Sequence, residues 1–424
     1  MSIKLKLVED FPKDWDQAKL VDLAKINPIY KLNEGEEYDF LPMERVAEGF
    51  RGIKNFERRL FKKQSGSKFR NQDIVFAKIT PCTENGKTAY INNLSDGYGF
   101  GSTEFLVFSP NRKQVYPDYL YRILTSHRIY SLAVSRMEGT TGRQRVPKDA
   151  FKNILIGLPS VEKQKKIAEI LSTVDKAIEN SDAIIKETQQ LKKGLMQKLF
   201  TEGIGHTRFK KTKIGKVPEA WNLLCLENIV HKRRGSIKRG PFGGAIKKAF
   251  FVENGFKVYE QKNVIYNDFM LGNYFINDEK FEELRGFEIN PGDLLVSCSG
   301  TIGKIVIFPD RAKRGIINQA LLRITVDDEK IYPLFFKYQF ETGFMQKRVI
   351  DHTHGSAMKN MVGVSELKKI QFVVPPKNEQ KSILAILQNI NSKIQNEQNT
   401  KTELEQLKKG LMQVLLTGKI RVRV

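Results

Sequence analysis

From residue 158 onward, apolar residues recur at steps of three and four: Ile167, Ile170, Leu171, Val174, Ile178, Ile184, Ile185, Leu191, Leu195 and Leu199. The spacing returns later at Ile383, Ile386, Leu387, Ile390, Ile394, Leu404, Leu407, Leu411 and Leu415. Such steps place side chains on one face of a helix. A proline precedes each run, Pro159 in the first and Pro375-Pro376 in the second. Proline suits a helix start, where its missing N–H is not needed. The pattern therefore predicts two long helices. About 40 helical residues reach roughly 60 Å. A helix of that length with a single apolar stripe is marginal alone and needs a partner. The simplest partner for each is the other.

The two runs are copies. Residues 158–204 and 374–420 align without a gap, with 20 of 47 positions identical, and both contain LKKGLMQ. Other marks share the 216-residue offset: Tyr116-Pro117 with Tyr332-Pro333, and Cys82 with Cys298. The only two tryptophans sit in matching contexts, Pro12-Lys-Asp-Trp15 and Pro218-Glu-Ala-Trp221. A repeat spacing near half the length means a protein built twice in tandem. The expected boundaries are a globular part at 1–157, a long helix at 158–205, a second globular part at 206–373 and a second helix at 374–424. The expected fold class is α/β (α+β). Two similar domains in tandem are separated by two long antiparallel helices in a pseudo-twofold arrangement, which would put the globular parts at opposite ends of a rod. The stripe is polar at its middle, at Asn180-Ser181-Asp182 and from Asn396 to Thr402. In an antiparallel pair these middles face each other, and polar residues at a seam fix register.

Charge narrows the partner. The net charge is +23 with a pI near 9.7. The globular parts carry +7 (26 basic, 19 acidic) and +10 (28 basic, 18 acidic). Basic charge on two matched domains is the electrostatic footprint of a nucleic-acid binder. No stretch has the roughly 20 apolar residues of a membrane span. MSIKLKLVEDF contains no apolar run of signal-peptide length. Three cysteines without CxxC spacing suit a reducing compartment. A cytoplasmic protein is expected.

Catalytic chemistry is hard to place on this sequence. Asn27-Pro28-Ile29-Tyr30 resembles the Asn-Pro-Pro-Tyr motif of adenine-N6 methyltransferases, differing at one position. It gives the alternative reading, a stand-alone adenine-N6 DNA methyltransferase. No glycine-rich cofactor turn precedes it. Gly86-Lys87-Thr88 lacks the upstream glycine of a phosphate loop, and the five histidines have no metal-ligand spacing with cysteine. No catalytic and no metal residue is assigned, and no cofactor is expected in this chain. Better candidates are basic, glycine-rich stretches that could meet phosphates and base edges. In the first half these are Arg51, Lys54, Arg58, Arg59, Lys68 and Arg70, then Lys87, then Arg143, Gln144 and Arg145. In the second half they are Lys232, Arg233, Arg234, Lys238, Arg239, Lys247 and Lys248, then Lys304, then His354 and Lys359.

Across its whole length the chain resembles the specificity subunit of type I restriction–modification systems. The first half supplies AKITPCTENGK (77–87), GSTEF (101–105) and GTTGRQRVP (139–147). The second supplies RGPFGGAIKK (239–248), GDLLVSCSGTIGK (292–304), NQALL (318–322) and GSAMKNM (355–361). The two helix copies complete the match. The resemblance implies two target recognition domains, each reading a short half-site in double-stranded DNA, with the helices setting a non-specific spacer. It implies docking of two modification (methyltransferase) subunits and two restriction subunits, which would bring S-adenosylmethionine, ATP and magnesium. Because the two halves differ in loop sequence, an asymmetric bipartite target is expected. A coiled-coil scaffold without DNA function is the third reading, and the paired basic domains argue against it.

Overall fold

The computed structural model describes residues 11–63, 66–233, 235–351 and 360–424. The predicted helices are present as Val161–Leu199 and Lys377–Leu415, 39 residues each. The chain forms two compact units, Met1–Ile184 with Glu397–Val424, and Ile185–Asn396. Each unit thus holds one globular part, the first half of the helix that follows it, and the second half of the other helix. The units cut across the four segments read from the sequence.

In the first unit a sheet of four antiparallel strands lies at the centre. Its order is Ala24–Ile26, Phe105–Pro110, Ile74–Ala77, Thr88–Tyr90. The two central strands are buried along their whole length, which explains their unbroken apolar sequence. Alternation divides their side chains between two cores. Ile74, Phe76, Leu106 and Phe108 pack with short helices Pro117–Leu124 and His127–Ser135, with Ile167, Leu171 and Leu415 of the long helices, and with Leu416 just beyond. Val75, Ala77, Phe105 and Val107 pack with Leu41 and Phe69 of a second sheet. That outer sheet runs Glu57–Leu60, Glu37–Leu41, Tyr98–Gly101, Ser67–Arg70, with a parallel pair at its centre.

The second unit repeats this plan strand for strand. The central sheet runs Ile237–Arg239, Leu321–Ile324, Leu294–Ser297, Ile305–Ile307. The outer sheet runs Phe275–Ile276, Phe256–Tyr259, Gly315–Ile317, Glu288–Ile289, again with a parallel central pair. The difference lies in what covers the outer sheet: here helix Asp278–Glu283 inserts Phe281 against Val258 and Ile316. The predicted fold class is therefore present: tandem α/β domains of one fold, joined by long helices.

The tryptophans mark where a long helix ends. Trp221 donates its indole N–H to Glu379 at 2.8 Å, and Gly203, at φ +67°, passes so close that a Cβ would lie 2.6 Å from the ring. In the first unit Gly418, at φ +71°, approaches Trp15 in the same way, with a Cβ 3.0 Å away. Only glycine fits both the left-handed backbone and the close approach.

The helix halves run antiparallel within the first unit. Lys408 Nζ lies 2.6 Å from Asp175, and Lys401 pairs with Asp182. Seven residues up one helix match seven down the other, and the polar middles face each other as expected. The apolar stripe is not covered throughout, because Ile184, Leu191 and Leu407 stay exposed.

Candidate nucleic-acid interface

Three of the motif stretches in the first unit meet at one end of the central sheet. Lys78 N–H donates to Glu104 O (2.9 Å), Val146 N–H to Lys78 O (2.7 Å) and Thr80 N–H to Gln144 O (3.0 Å). Ala77 N–H donates to Lys87 O, and Glu138 and Arg145 exchange both backbone bonds. The loops 77–87, 101–105 and 138–146 are thus pinned to one edge, carrying Arg143, Gln144 and Arg145. Arg143 and Arg145 are exposed, and Gln144 and Lys87 are half-buried. Lys87 Nζ donates to Met43 O at 3.3 Å. Arg145 grips Glu104 with two parallel bonds of 2.9 and 2.8 Å. That contact holds the Glu104 carboxyl below the usual range, ahead of the opposing effect of its partial burial.

The basic stretch 51–70 does not form one surface. Arg51 reaches both long helices, 3.2 Å from Asp182 and 2.7 Å from Glu405. Lys54 is exposed. The other four lie on the outer sheet with partners. Arg58 pairs with Asp96 at 2.7 Å, and Arg59 pairs with Glu57 while stacking on Phe40. Lys68 lies over Phe61, and Arg70 lies near Asp73 and over Tyr30. Much of their charge is met within the domain.

In the second unit the equivalent edge gathers 239–240, 298–304 and 318–321. Arg239 Nε donates to Gln319 O at 3.2 Å and its guanidinium lies over Phe242. Cys298 N–H donates to Ala320 O, and Ser297 N–H to Lys304 O. Lys238 stacks on Phe287. Lys232, Arg233, Lys247, Lys248 and Lys304 are exposed. Arg234, His354 and Lys359 lie outside the described residues. At Gly240 a Cβ would sit 1.9 Å from the Asn318 carbonyl oxygen. Gly240→Ala is expected to destabilise the protein by about 2 kcal/mol, a fall of roughly 4–8 °C in Tm. A variant melting with its parent would show that the loop yields freely.

Asn27 and Tyr30 have structural work. Asn27 takes φ +53° at the end of its strand, and its side-chain oxygen accepts Val107 N–H at 2.9 Å. The Tyr30 hydroxyl lies 2.9 Å from both Asp73 and Ser109. Burial pushes the Tyr30 phenol up to about 12. This geometry holds a turn between strands, and it corrects the methyltransferase reading of the segment. Among the described residues no group of three or more His, Cys, Asp or Glu could hold a metal ion, and no helix is long and apolar enough to cross a membrane.

One residue at the first edge was missed from the sequence. Glu104 lies within GSTEF, and a pattern of basic and amide side chains does not point to a carboxylate. The 216-residue offset pairs it with Ala320, a contrast visible in the sequence.

Comparison with known proteins agrees with this architecture. Residues 12–190 and 218–406 each match the type I restriction modification DNA specificity domain. The type I restriction enzyme MjaVIII specificity subunit of Methanocaldococcus jannaschii is 31% identical over 431 residues, covering 97% of this chain and 94% of that protein. The EcoAI specificity subunit of Escherichia coli is 32% identical over 194 residues, 44% of this chain and 33% of that protein. Among solved structures, a chain from work on complex assembly and conformational transition of the type I R-M system superposes with a TM-score of 0.64. That match has 17% identity and covers 97% of this chain and 100% of the other. The type I restriction-modification system S subunit from M. genitalium gives a TM-score of 0.51 at 17% identity, covering 98% and 99%. The chain therefore belongs to the type I restriction–modification DNA specificity family, whose members are the recognition rather than the catalytic subunits of their systems.

Proposed function

We propose that the chain reads an asymmetric bipartite target in double-stranded DNA, one short half-site per globular domain, separated by a spacer of fixed length. The observation that carries this reading is one strand order built twice with different cargo on the same loops. Equal scaffolds give equal modes of approach, and unequal loops give unequal half-sites. The exposed Ile184, Leu191 and Leu407 on the long helices suit docking of two modification subunits, with two restriction subunits completing the complex. In this reading S-adenosylmethionine, ATP and magnesium belong to those partners, which do the chemistry, and the complex works in the cytoplasm.

The long helices would then set the spacer. The Asp175–Lys408 and Asp182–Lys401 pairs fix the register, so Ala183 lies opposite Thr400. Four residues inserted after Ala183 and four after Asn399 keep both flanks in register. They add about 6 Å of helix, and DNA rises about 3.4 Å per base pair. The assembled methyltransferase is expected to prefer a spacer one or two base pairs longer, with unchanged half-sites. Methylation of a library with fixed half-sites and variable spacers reads the result. An active insertion variant with the parental optimum would mean that the helices hold partners without measuring DNA.

A further inference from the structure

Glu104 and Ala320 occupy the same place in two copies of one turn. In the first unit Glu104 N–H donates to the Ser102 hydroxyl at 3.2 Å, and Glu104 O accepts from Lys78 at 2.9 Å. In the second unit Ala320 N–H donates to the Asn318 side chain at 3.0 Å, and Ala320 O accepts from Cys298 at 2.8 Å. Both turns lead from a parallel strand of the outer sheet into the second strand in the order of the central sheet. The scaffold is shared and the side chain it presents is not: a carboxylate in one domain, a methyl group in the other.

What Glu104 does follows from the edge of Arg145 that it occupies. Guanidinium carries five N–H groups in a fixed fork. Glu104 takes the Nε edge, with Nε to Oε2 at 2.9 Å and Nη2 to Oε1 at 2.8 Å. Glu104 O accepts from Lys78, the residue after a central strand, and Arg145 exchanges both backbone bonds with Glu138, so neither partner is carried by a free loop. The guanidinium is thereby turned so that its end edge is left, one N–H of Nη1 beside one of Nη2. Arg145 is still half exposed, at 47% of its side chain. Two parallel N–H donors at a base edge match guanine O6 and N7. We propose that Glu104 is a positioning residue that holds Arg145 end-on for one guanine of the first half-site. Position 104, with its counterpart 320, is then a specificity-determining position of the fold.

The inference rests on the reading of the chain as a reader of two half-sites, and the test separates the two. The assembled methyltransferase acts on a library randomised across both half-sites, and the methylated products are sequenced. Arg145→Ala should lower the preference for guanine at one position of one half-site by about tenfold or more. Glu104→Ala should lower it at the same position by roughly threefold to tenfold, with Glu104→Gln between Glu104→Ala and the parent. In an Arg145→Ala background, Glu104→Ala should change nothing further. The other half-site should be untouched by each variant, a pattern that general loosening of the fold would not give. A Glu104→Ala profile identical to the parent, or one relaxed equally at both half-sites, would overturn the positioning role. An Arg145→Ala variant that keeps its guanine preference would overturn it as well. A parent complex with no bipartite preference at all would instead bring down the two-half-site reading and this inference with it.

Discussion

Arg122→Leu should destabilise the first unit by about 3 kcal/mol at neutral pH, the scale for removing one partner from a buried ion network. Arg122 lies buried between its domain and the first long helix. Its Nε is 3.1 Å from Asp118, its guanidinium also pairs with Asp175, and Lys408 reaches Asp175 at 2.6 Å. Burial raises the Asp118 carboxyl above its usual range, and the Arg122 charge opposes that rise. Without the arginine the carboxyl rises further. The sign follows: a raised acid pKa penalises folding above it and is relieved as pH falls through it. The deficit of Arg122→Leu should therefore be largest near neutrality and shrink on acidification.

The second unit shows how to remove the network without harm. Its counterparts, 216 residues on, are Leu334, Tyr338 and Asn391. There Asn391 donates to the Tyr338 hydroxyl at 2.5 Å. Transplanting that neutral set as Asp118→Leu, Arg122→Tyr and Asp175→Asn should recover most of the lost stability. Urea unfolding across pH 5–8 measures both variants. A single variant whose deficit does not depend on pH would refute the electrostatic account. A triple variant no better than the single one would refute the equivalence of the two sites.

The second large effect concerns a glutamine that docks each long helix. Gln380 is fully buried in the first turns of its helix. Its Nε2 donates to Lys330 O (2.8 Å) and Pro375 O (2.9 Å), and its Oε1 accepts from Tyr332 N–H (3.0 Å). Gln164 repeats the set with Gln114, Pro159 and Tyr116. One side chain thus satisfies three buried backbone groups. Gln380→Leu keeps the volume and leaves all three unpaired, so it should destabilise the second unit by about 3 kcal/mol. Gln164→Leu should act on the first unit by a similar amount. Domain-resolved hydrogen exchange would show which unit has loosened. A loss under about 1 kcal/mol at both sites would mean that water replaces the amide.

These glutamines show where sequence reading succeeds and stops. Both sit in the repeat, at Lys-Gln-Lys and Glu-Gln-Lys, and the alignment matched them. Nothing in a local pattern says that a polar residue beside an apolar stripe is buried. The same holds for the basic stretches. Their basic, glycine-rich content was legible along the chain, but that 77–87 and 138–146 meet GSTEF, which carries no cation, was not. Nor was it legible which cation was already engaged. Arg51 resembles Lys54 in sequence, yet it is held by Glu405, 354 residues away.

The sequence by itself determined the tandem repeat, the two long helices and the basic character of two matched domains, and it led to the expectation that the helices pair antiparallel with their polar middles facing. Periodicity and repetition are properties of a chain read along its length, and apolar stripes must be buried wherever the chain goes. Tertiary structure decided the rest. It assigned the two halves of each long helix to different units and split the stretch 51–70 between helix contacts and the outer sheet. It gave Asn27 and Tyr30 to a turn rather than to chemistry, and it set Glu104 against Arg145. Each of those outcomes depends on which surfaces meet across long sequence separations. A hydrogen bond or ion pair forms only where the fold brings its partners within about 3 Å.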